Sequence, residues 1–432
     1  MADTFENKLT DAVNAAIPQA DAFFIDIEKR TKDGPGVTRP SYLEGEQIGH
    51  DMVAEWAGEL GLEKSIDAAG NMYLVCPGED RDVPIVMTGS HMDTVPKGGN
   101  FDGAAGVIAG LVALTAFRKA DLTPKRDVTI MAVRAEEAGS WFRGIHGGHL
   151  GSRAALGMYM DNEMETAIHN GNGRSLGTCM AEAGFDPERV IKEPPHLKPD
   201  SIGSYVELHI EQGPVLQTEG HPVGVVTGIR GNRRLKQCRI SGEYTHSGAV
   251  PQDYRHDAVL AAAEFLNRLE TEGLEKIAAG RDLVFSSGIF HTDSDVHGLS
   301  KVSGQVDFTL DMRSQDVSAL DEMQKIAEKI AADVSKKRGV TFESFDFSPV
   351  APSPMHKTQR ARLHEGAKAM GISAIDVASG GGHDAAEFER MGVQSSMIFV
   401  RNDRGSHNPD EAMAIEDFAL GTRLLAWMLA TA

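Results

Sequence analysis

At 432 residues, 41% hydrophobic and 25% charged, the chain is too long for one simple core, and two domains are expected of a soluble globular protein. A formal net charge of −20 argues against nucleic acid or an anionic membrane as a partner, so an anionic substrate would need local Arg or Lys to outweigh the overall field. Cys76, Cys179 and Cys238 are odd in number and widely spaced, and offer neither a disulfide framework nor a paired zinc ribbon. The start, Met1-Ala2-Asp3-Thr4-Phe5-Glu6, lacks the basic and apolar regions of a signal peptide. The longest apolar run, near 106–117, is shorter than the about 20 residues a membrane span needs. A reducing cytoplasm is the expected location.

In chain order, residues 8–30 and 44–60 read as amphipathic helices, and 64–76 as a strand hairpin turning at Ala68-Ala69-Gly70-Asn71. A short apolar strand, 83–88, leads into Gly89-Ser90-His91-Met92-Asp93-Thr94, then Asn100-Phe101-Asp102-Gly103 and a small-residue helix over 103–119. Strand 127–134 ends at Ala135-Glu136-Glu137, the Gly-rich stretch 139–152 and the Pro-rich stretch 185–202 read as loops, and strand 203–210 ends at His209-Ile210-Glu211-Gln212-Gly213. Three strands in the first half thus finish on residues able to bind a metal.

From about 230 the pattern becomes strand 233–243, helix 256–272, strands 282–291 and 305–313, helix 316–335 and strand 340–347. This β-α-β-β-α-β order predicts a ferredoxin-like α+β insertion. Pro349, Pro352 and Pro354 mark a linker, after which α/β character returns with helix 358–370, Gly380-Gly381-Gly382-His383-Asp384, helix 384–391, strand 395–400, Ser406-His407-Asn408 and helix 414–431. The expected organisation is a discontinuous α/β domain, 1–228 with 348–432, interrupted by a smaller domain, 229–347.

His91, Asp102, Glu137, His209 and His407 supply nitrogen and oxygen ligands without thiolate, a set that suits Zn, Mn, Co or Ni. Five such ligands exceed one tetrahedral ion with an open position and fit two ions sharing a carboxylate, about 3.5–4 Å apart. Asp93 is placed to orient the His91 imidazole. Singly, each has a blander reading: His91-Met92-Asp93 as a capping pair, Glu136-Glu137 as a solvated pair, and His209 as a packed histidine. Their recurrence at strand ends is what favours a metal centre.

The segments Gly89-Ser90-His91-Met92-Asp93-Thr94-Val95-Pro96, Phe101-Asp102-Gly103-Ala104-Ala105-Gly106-Val107, Glu136-Glu137-Ala138-Gly139-Ser140, His209-Ile210-Glu211-Gln212-Gly213-Pro214-Val215-Leu216 and Ser406-His407-Asn408-Pro409-Asp410-Glu411 carry a resemblance. From about residue 20 onward the chain resembles the hydantoinase/carbamoylase branch of the dinuclear metallo-aminoacylase and carboxypeptidase superfamily. That branch holds N-carbamoyl-L-amino acid hydrolases, β-ureidopropionases and allantoate and ureidoglycolate amidohydrolases, and the His-Ile-Glu-Gln-Gly-Pro motif is especially specific to it.

The resemblance implies a metallopeptidase-like catalytic domain, a mixed sheet flanked by helices, with the insertion acting as lid and dimerisation domain of a homodimer. Asp102 would bridge two divalent ions, with His91, His209, Glu137 and His407 completing the shells and Glu136 as general base. His246 would meet the oxyanion, Arg313 clamp the substrate carboxylate with its bidentate fork, Gln212 contact the carbamoyl or amide end and His383 line the pocket. A cis peptide after Asp102 is also implied. Unaided, His246 reads as a turn histidine, Arg313 as a salt-bridge partner of Asp311 or Asp316, and the His383 loop as a helix N-cap. His146, His149 and the remaining histidines have no matching role and are expected to be solvated or structural.

Three departures alter the pocket: Ser300 stands where the family has Asn, His246-Ser247-Gly248-Ala249-Val250-Pro251 loses two hydroxyls, and Trp141 replaces Arg. The expected activity is metal-dependent hydrolysis of the C–N bond of an N-carbamoyl or ureido amino acid, or a related linear amide, releasing amine or ammonia. The departures suggest a substrate bulkier or less polar than those of the better-known members. The alternatives are an N-acyl amino acid deacylase or peptidase of the same superfamily, and a non-catalytic metal-binding scaffold.

Overall fold

The computed structural model describes residues 5–145, 147–159 and 162–432. His146 and the first four residues, read above from sequence, lie outside that range. The chain forms two compact units, one running up to Thr227 and resuming at Met355–Ala432, the other Gly228–Pro354.

The larger unit is built on a mixed sheet. Its strands run in the order Val223–Ile229, Ser395–Val400, Ile202–Ile210, Ile85–His91, Val128–Val133, Met72–Cys76, Glu63–Ile66, and Ala374–Ser379 pairs with Val223–Ile229. The central four, from Ser395–Val400 to Val128–Val133, are mutually parallel. The last two form the expected hairpin, with Ile66 opposite Met72. Strands buried on both faces need continuous apolar runs, and Val128–Val133 is buried at every position.

Helix Ala104–Lys119 is buried from Ala104 to Phe117. Its alanines and glycines let it pack closely, and it shares a core with Phe418, Leu424 and Leu425 of the C-terminal helix Ile415–Ala430. The helix expected over 8–30 is two, Phe5–Asn14 and Ile17–Thr31. Pro18 lies in the first turn of the second, where its missing N–H costs nothing, whereas inside one long helix it would break the ladder. The Gly-rich stretch is not all loop: it contains helix Ala138–Trp141 and the start of helix Leu150–Ala155. Among the described residues no helix is long and apolar enough to cross a membrane.

The smaller unit has an antiparallel sheet in the order Val284–Ser286, Gln305–Ser314, Gly231–Ser241, Thr341–Glu343. Phe290–Thr292 also pairs with Gln305–Ser314, so the strand expected over 282–291 is split. Helices Ala258–Ala278 and Val317–Arg338 cover it. Asp257 and Asp316 cap their N-termini by accepting from Leu260 N and Ser318 N. Phe265, Phe308, Leu310 and Met323 form the core, and full burial of such side chains contributes roughly 1.5–3 kcal/mol each.

Candidate metal centre

Parallel strands end at the same edge of a sheet, the usual place for a ligand in an open α/β fold. His91 lies opposite Val133 in one pair, and Ile210 lies opposite Val400 in another. His91, the Glu136-Glu137 turn, His209 and the loop bearing His407 therefore emerge at one edge. Asp102 precedes helix Ala104–Lys119 at the same edge. The peptide after Asp102 is trans, which corrects the expected cis bond. Gly103 makes the turn with φ +67° instead, and a Cβ there would lie 2.3 Å from the His91 ring.

The two oxygens of Asp102 face different partners. Oδ1 lies 3.1 Å from His209 Nε2 and 3.6 Å from His91 Nε2. Oδ2 lies 3.5 Å from His407 Nε2, which is 2.9 Å from Glu137 Oε1. These make two donor trios sharing Asp102: His91, Asp102 and His209, and Asp102, Glu137 and His407. Gln212, at φ +61°, reaches the same carboxylate by donating from Nε2 to Oδ2 at 2.8 Å, and Ser406 Oγ also donates to Oδ2.

The imidazoles are oriented from behind. His91 Nδ1 meets the Asp93 carbonyl at 3.0 Å, and His209 Nδ1 meets the Ile210 carbonyl at 2.9 Å. Each ring thereby turns Nε2 to the cluster, the tautomer a metal ligand needs. Gly103 N–H donates to His209 Nε2 at 3.1 Å, which makes that nitrogen the ring's acceptor and puts the ring proton on Nδ1, against the Ile210 carbonyl.

Asp93 does more than sequence suggested. Beside His91 Nδ1, at 3.3 Å, its carboxylate accepts from Ser41 Oγ, Glu136 N and Glu137 N. One buried side chain thus fixes both the histidine and the glutamate pair. Glu411 similarly fixes the Asp102 loop, its Oε1 accepting Phe101 N at 2.8 Å and Asp102 N at 3.2 Å. Buried Arg39 donates to the Met92 carbonyl and to Asn100 Oδ1, tying together the loops on either side. Glu411 lies in a motif already singled out, but nothing in that motif reveals which backbone it holds.

Glu136 sits beside the first trio, its Oε2 3.8 Å from His91 Nε2. Burial opposes its ionisation, but positive charge beside it, carried by His91 and His149 when those rings are protonated, outweighs burial and lowers the carboxyl to about 2. His149, expected to be merely structural, places Nε2 3.2 Å from Glu136 Oε1. No spacing rule links it to Glu136. His383 is buried behind His209, edge-on at 4.5 Å between ring centroids, with Nε2 2.9 Å from Ser379 Oγ. Trp141 donates from Nε1 to the Thr94 carbonyl and stacks on His169.

His246, Ser300 and Arg313 belong to the smaller unit. His246 Nδ1 accepts from Gly248 N and Ala249 N, both at 3.1 Å, which leaves its proton on Nε2 as a donor. Ser300 adjoins it, its carbonyl accepting Ser247 N. Arg313 donates to Asp311 Oδ2 from Nε at 3.0 Å and NH2 at 2.7 Å, and Asp316 caps the helix that follows.

The donors suit a divalent cation. Asp102 Oδ1 is buried and accepts no hydrogen bond among the described residues, while imidazole nitrogens face it. Burial, reinforced by Glu136 and Asp102 against the pull of His407, pushes Glu137 up to about 7. The buried carboxylates of Asp102 and Glu136 and the half-buried one of Glu137 repel each other in one cluster, and a cation between the nitrogens and oxygens relieves that repulsion. Fold and donor set are those of a divalent-metal-binding α/β protein.

The profile of peptidase family M20/M25/M40 matches residues 87–431, and the chain belongs to this family. It is 33% identical over 399 residues to an N-carbamoyl-L-amino acid amidohydrolase of Geobacillus stearothermophilus, covering 91% of this chain and 94% of that protein. It is 32% identical over 400 residues to the allantoate amidohydrolase of Escherichia coli (strain K12), covering 91% and 92%. The solved structure of a hydantoinase/carbamoylase family amidase from Burkholderia ambifaria superposes with a TM-score of 0.84 at 27% identity, covering 96% of this chain and 97% of that one.

Proposed function

We propose that the chain is a divalent-metal-dependent amidohydrolase that cleaves the C–N bond of an N-carbamoyl or ureido acid. The observation that carries this reading is the division of the Asp102 oxygens between two donor trios, with Glu136 Oε2 3.8 Å from His91 Nε2 beside the first of them. The relatives named above act, by their names, on N-carbamoyl-L-amino acids and on allantoate.

His91, Asp102 and His209 would hold one ion, and Asp102, Glu137 and His407 the other, drawn from Zn, Mn, Co or Ni. Bound there, such ions supply Lewis acidity and lower the pKa of water toward neutrality. Glu136 takes the proton of the attacking water and delivers it to the departing nitrogen. Gln212 orients the carbamoyl or amide end, and the His246 Nε2–H donates to the developing oxyanion. Arg313 exchanges its contact with Asp311 for the substrate carboxylate, which its planar fork matches in a way Lys does not. Ser300 in place of the family's Asn, and Trp141, favour a substrate bulkier or less polar than N-carbamoyl-β-alanine. His383 acts from behind His209. The smaller unit serves as lid and dimerisation domain of a homodimer working in the cytoplasm.

The test is a substrate panel on Zn-, Mn-, Co- and Ni-loaded protein: N-carbamoyl-β-alanine, aromatic N-carbamoyl amino acids, allantoate and N-acyl amino acids. Ammonia release from a carbamoyl or ureido member is expected, with aromatic members preferred. Hydrolysis confined to N-acyl substrates, without ammonia, would establish a deacylase instead. Glu136→Gln should abolish turnover and leave metal content at the wild-type level. Loss of metal in that variant would make Glu136 a ligand.

A further inference from the structure

We propose that His149, braced by Glu387, is a positioning residue that holds one oxygen of Glu136 and so presents the other to the metal-binding cluster. The inference rests on the reading of Glu136 as general base. The oxygens of Glu136 are divided: Oε1 lies 3.2 Å from His149 Nε2, and Oε2 faces His91 Nε2 at 3.8 Å. A carboxylate with both oxygens free would swing between them, and only one orientation puts a basic oxygen where a water proton must be taken. Displacement of about 1 Å from productive geometry costs about 100-fold in rate.

The imidazole is itself held on its far side. His149 Nδ1 lies 2.8 Å from Glu387 Oε1, and Glu387 is anchored by Arg390 NH1 at 2.7 and 2.9 Å. Glu387 and Arg390 lie on helix Asp384–Arg390, so a rigid element, not a loop, sets the ring. The backbone supports the same placement: His149 N–H donates to the Glu136 carbonyl at 2.8 Å, and His149 takes the left-handed conformation, φ +57°, uncommon outside glycine.

The Gly-rich loop is shaped around this ring. A Cβ at Gly382 would lie 2.7 Å from His149 Nε2 and 2.9 Å from its Cε1. Gly382 thus leaves the space that the imidazole fills, independently of the contact with Glu136. Ser152 Oγ donates to the His149 carbonyl and so steadies the turn from the following helix. The chain runs Arg390, Glu387, His149, Glu136, all within the larger unit.

The experiment compares wild type, H149A, H149Q and E136Q as full-length, metal-loaded protein on whichever carbamoyl or ureido substrate is turned over. Steady-state kcat and KM are measured alongside bound metal and metal affinity of the stripped protein. For H149A, kcat should fall about 100-fold with KM, metal content and metal affinity unchanged. H149Q keeps an N–H donor on a side chain of similar reach and should recover most of kcat. Should H149A fail to fold, H149Q decides: a folded, metal-replete H149Q near wild-type kcat supports the proposal. One as slow as E136Q overturns it. An H149A with wild-type kcat beside an inactive E136Q would overturn the positioning role and leave the general base standing. An active E136Q would overturn both.

Discussion

The backbone N–H of Glu137 donates to Asp93 Oδ2 at 3.1 Å, so the acid that orients His91 also positions a residue on the next strand's loop. Asp93 is buried and accepts from Ser41, Glu136 and Glu137 while facing His91, which links the two trios mechanically. Replacing it by Ala should weaken metal binding by about 10–100-fold, the usual effect of losing such an orienting partner. Metal titration of the stripped variant checks this, and an unchanged affinity would show that the backbone carbonyl of Asp93 suffices.

Asp102 is the residue common to both trios, whereas His407 belongs to one. If the two ions proposed above share Asp102, Asp102→Ala should remove both, and His407→Ala should halve the metal content. Elemental analysis after dialysis distinguishes the two. Retention of a full equivalent by Asp102→Ala would refute the bridging role.

Gly103 combines a positive φ with contact against the His91 ring. Gly103→Ala should destabilise the protein by about 1–3 kcal/mol, the scale of a residue forced into a sparsely populated conformation. Metal affinity should fall with it, because relief of the clash moves His91. Denaturant unfolding and metal titration read the two effects. A variant of wild-type stability would mean the loop can relax without cost.

His50 is fully buried in helix Glu44–Glu59, and burial, with the positive charge of Arg134 nearby, drives its pKa well below 6.5. Below pH 6.5 the unfolded chain takes up a proton that the folded chain refuses, so stability falls with falling pH. The slope is about 1.4 kcal/mol per pH unit. Unfolding of wild type and His50→Gln across this range should show the gap between them narrowing as the solution is acidified. Parallel curves would mean His50 accepts its proton in the folded state.

The strands that end on His91, Glu136-Glu137 and His209 could be read from apolar runs punctuated by glycine and polar residues, because a buried parallel strand needs such a run. The two long strands and two helices of the smaller unit were legible from a different signal, alternation in the strands and amphipathicity in the helices. Less local features were not. The break before Ile17 depends on where one proline falls within a turn, and the split of Val284–Ser286 from Phe290–Thr292 depends on pairing with Gln305–Ser314.

Residue types and their short motifs determined by themselves which side chains could bind a cation and which family they resemble, since ligand chemistry belongs to the side chain and travels with it. Only the tertiary structure decided how those side chains are held. Asp93 reaching Glu137, Glu411 bracing Asp102 and Glu387 setting His149 against Glu136 are contacts between segments far apart in the chain. Such contacts arise from sheet order and loop packing, and hydrogen-bond geometry at about 3 Å is set by the fold, not by spacing along the chain.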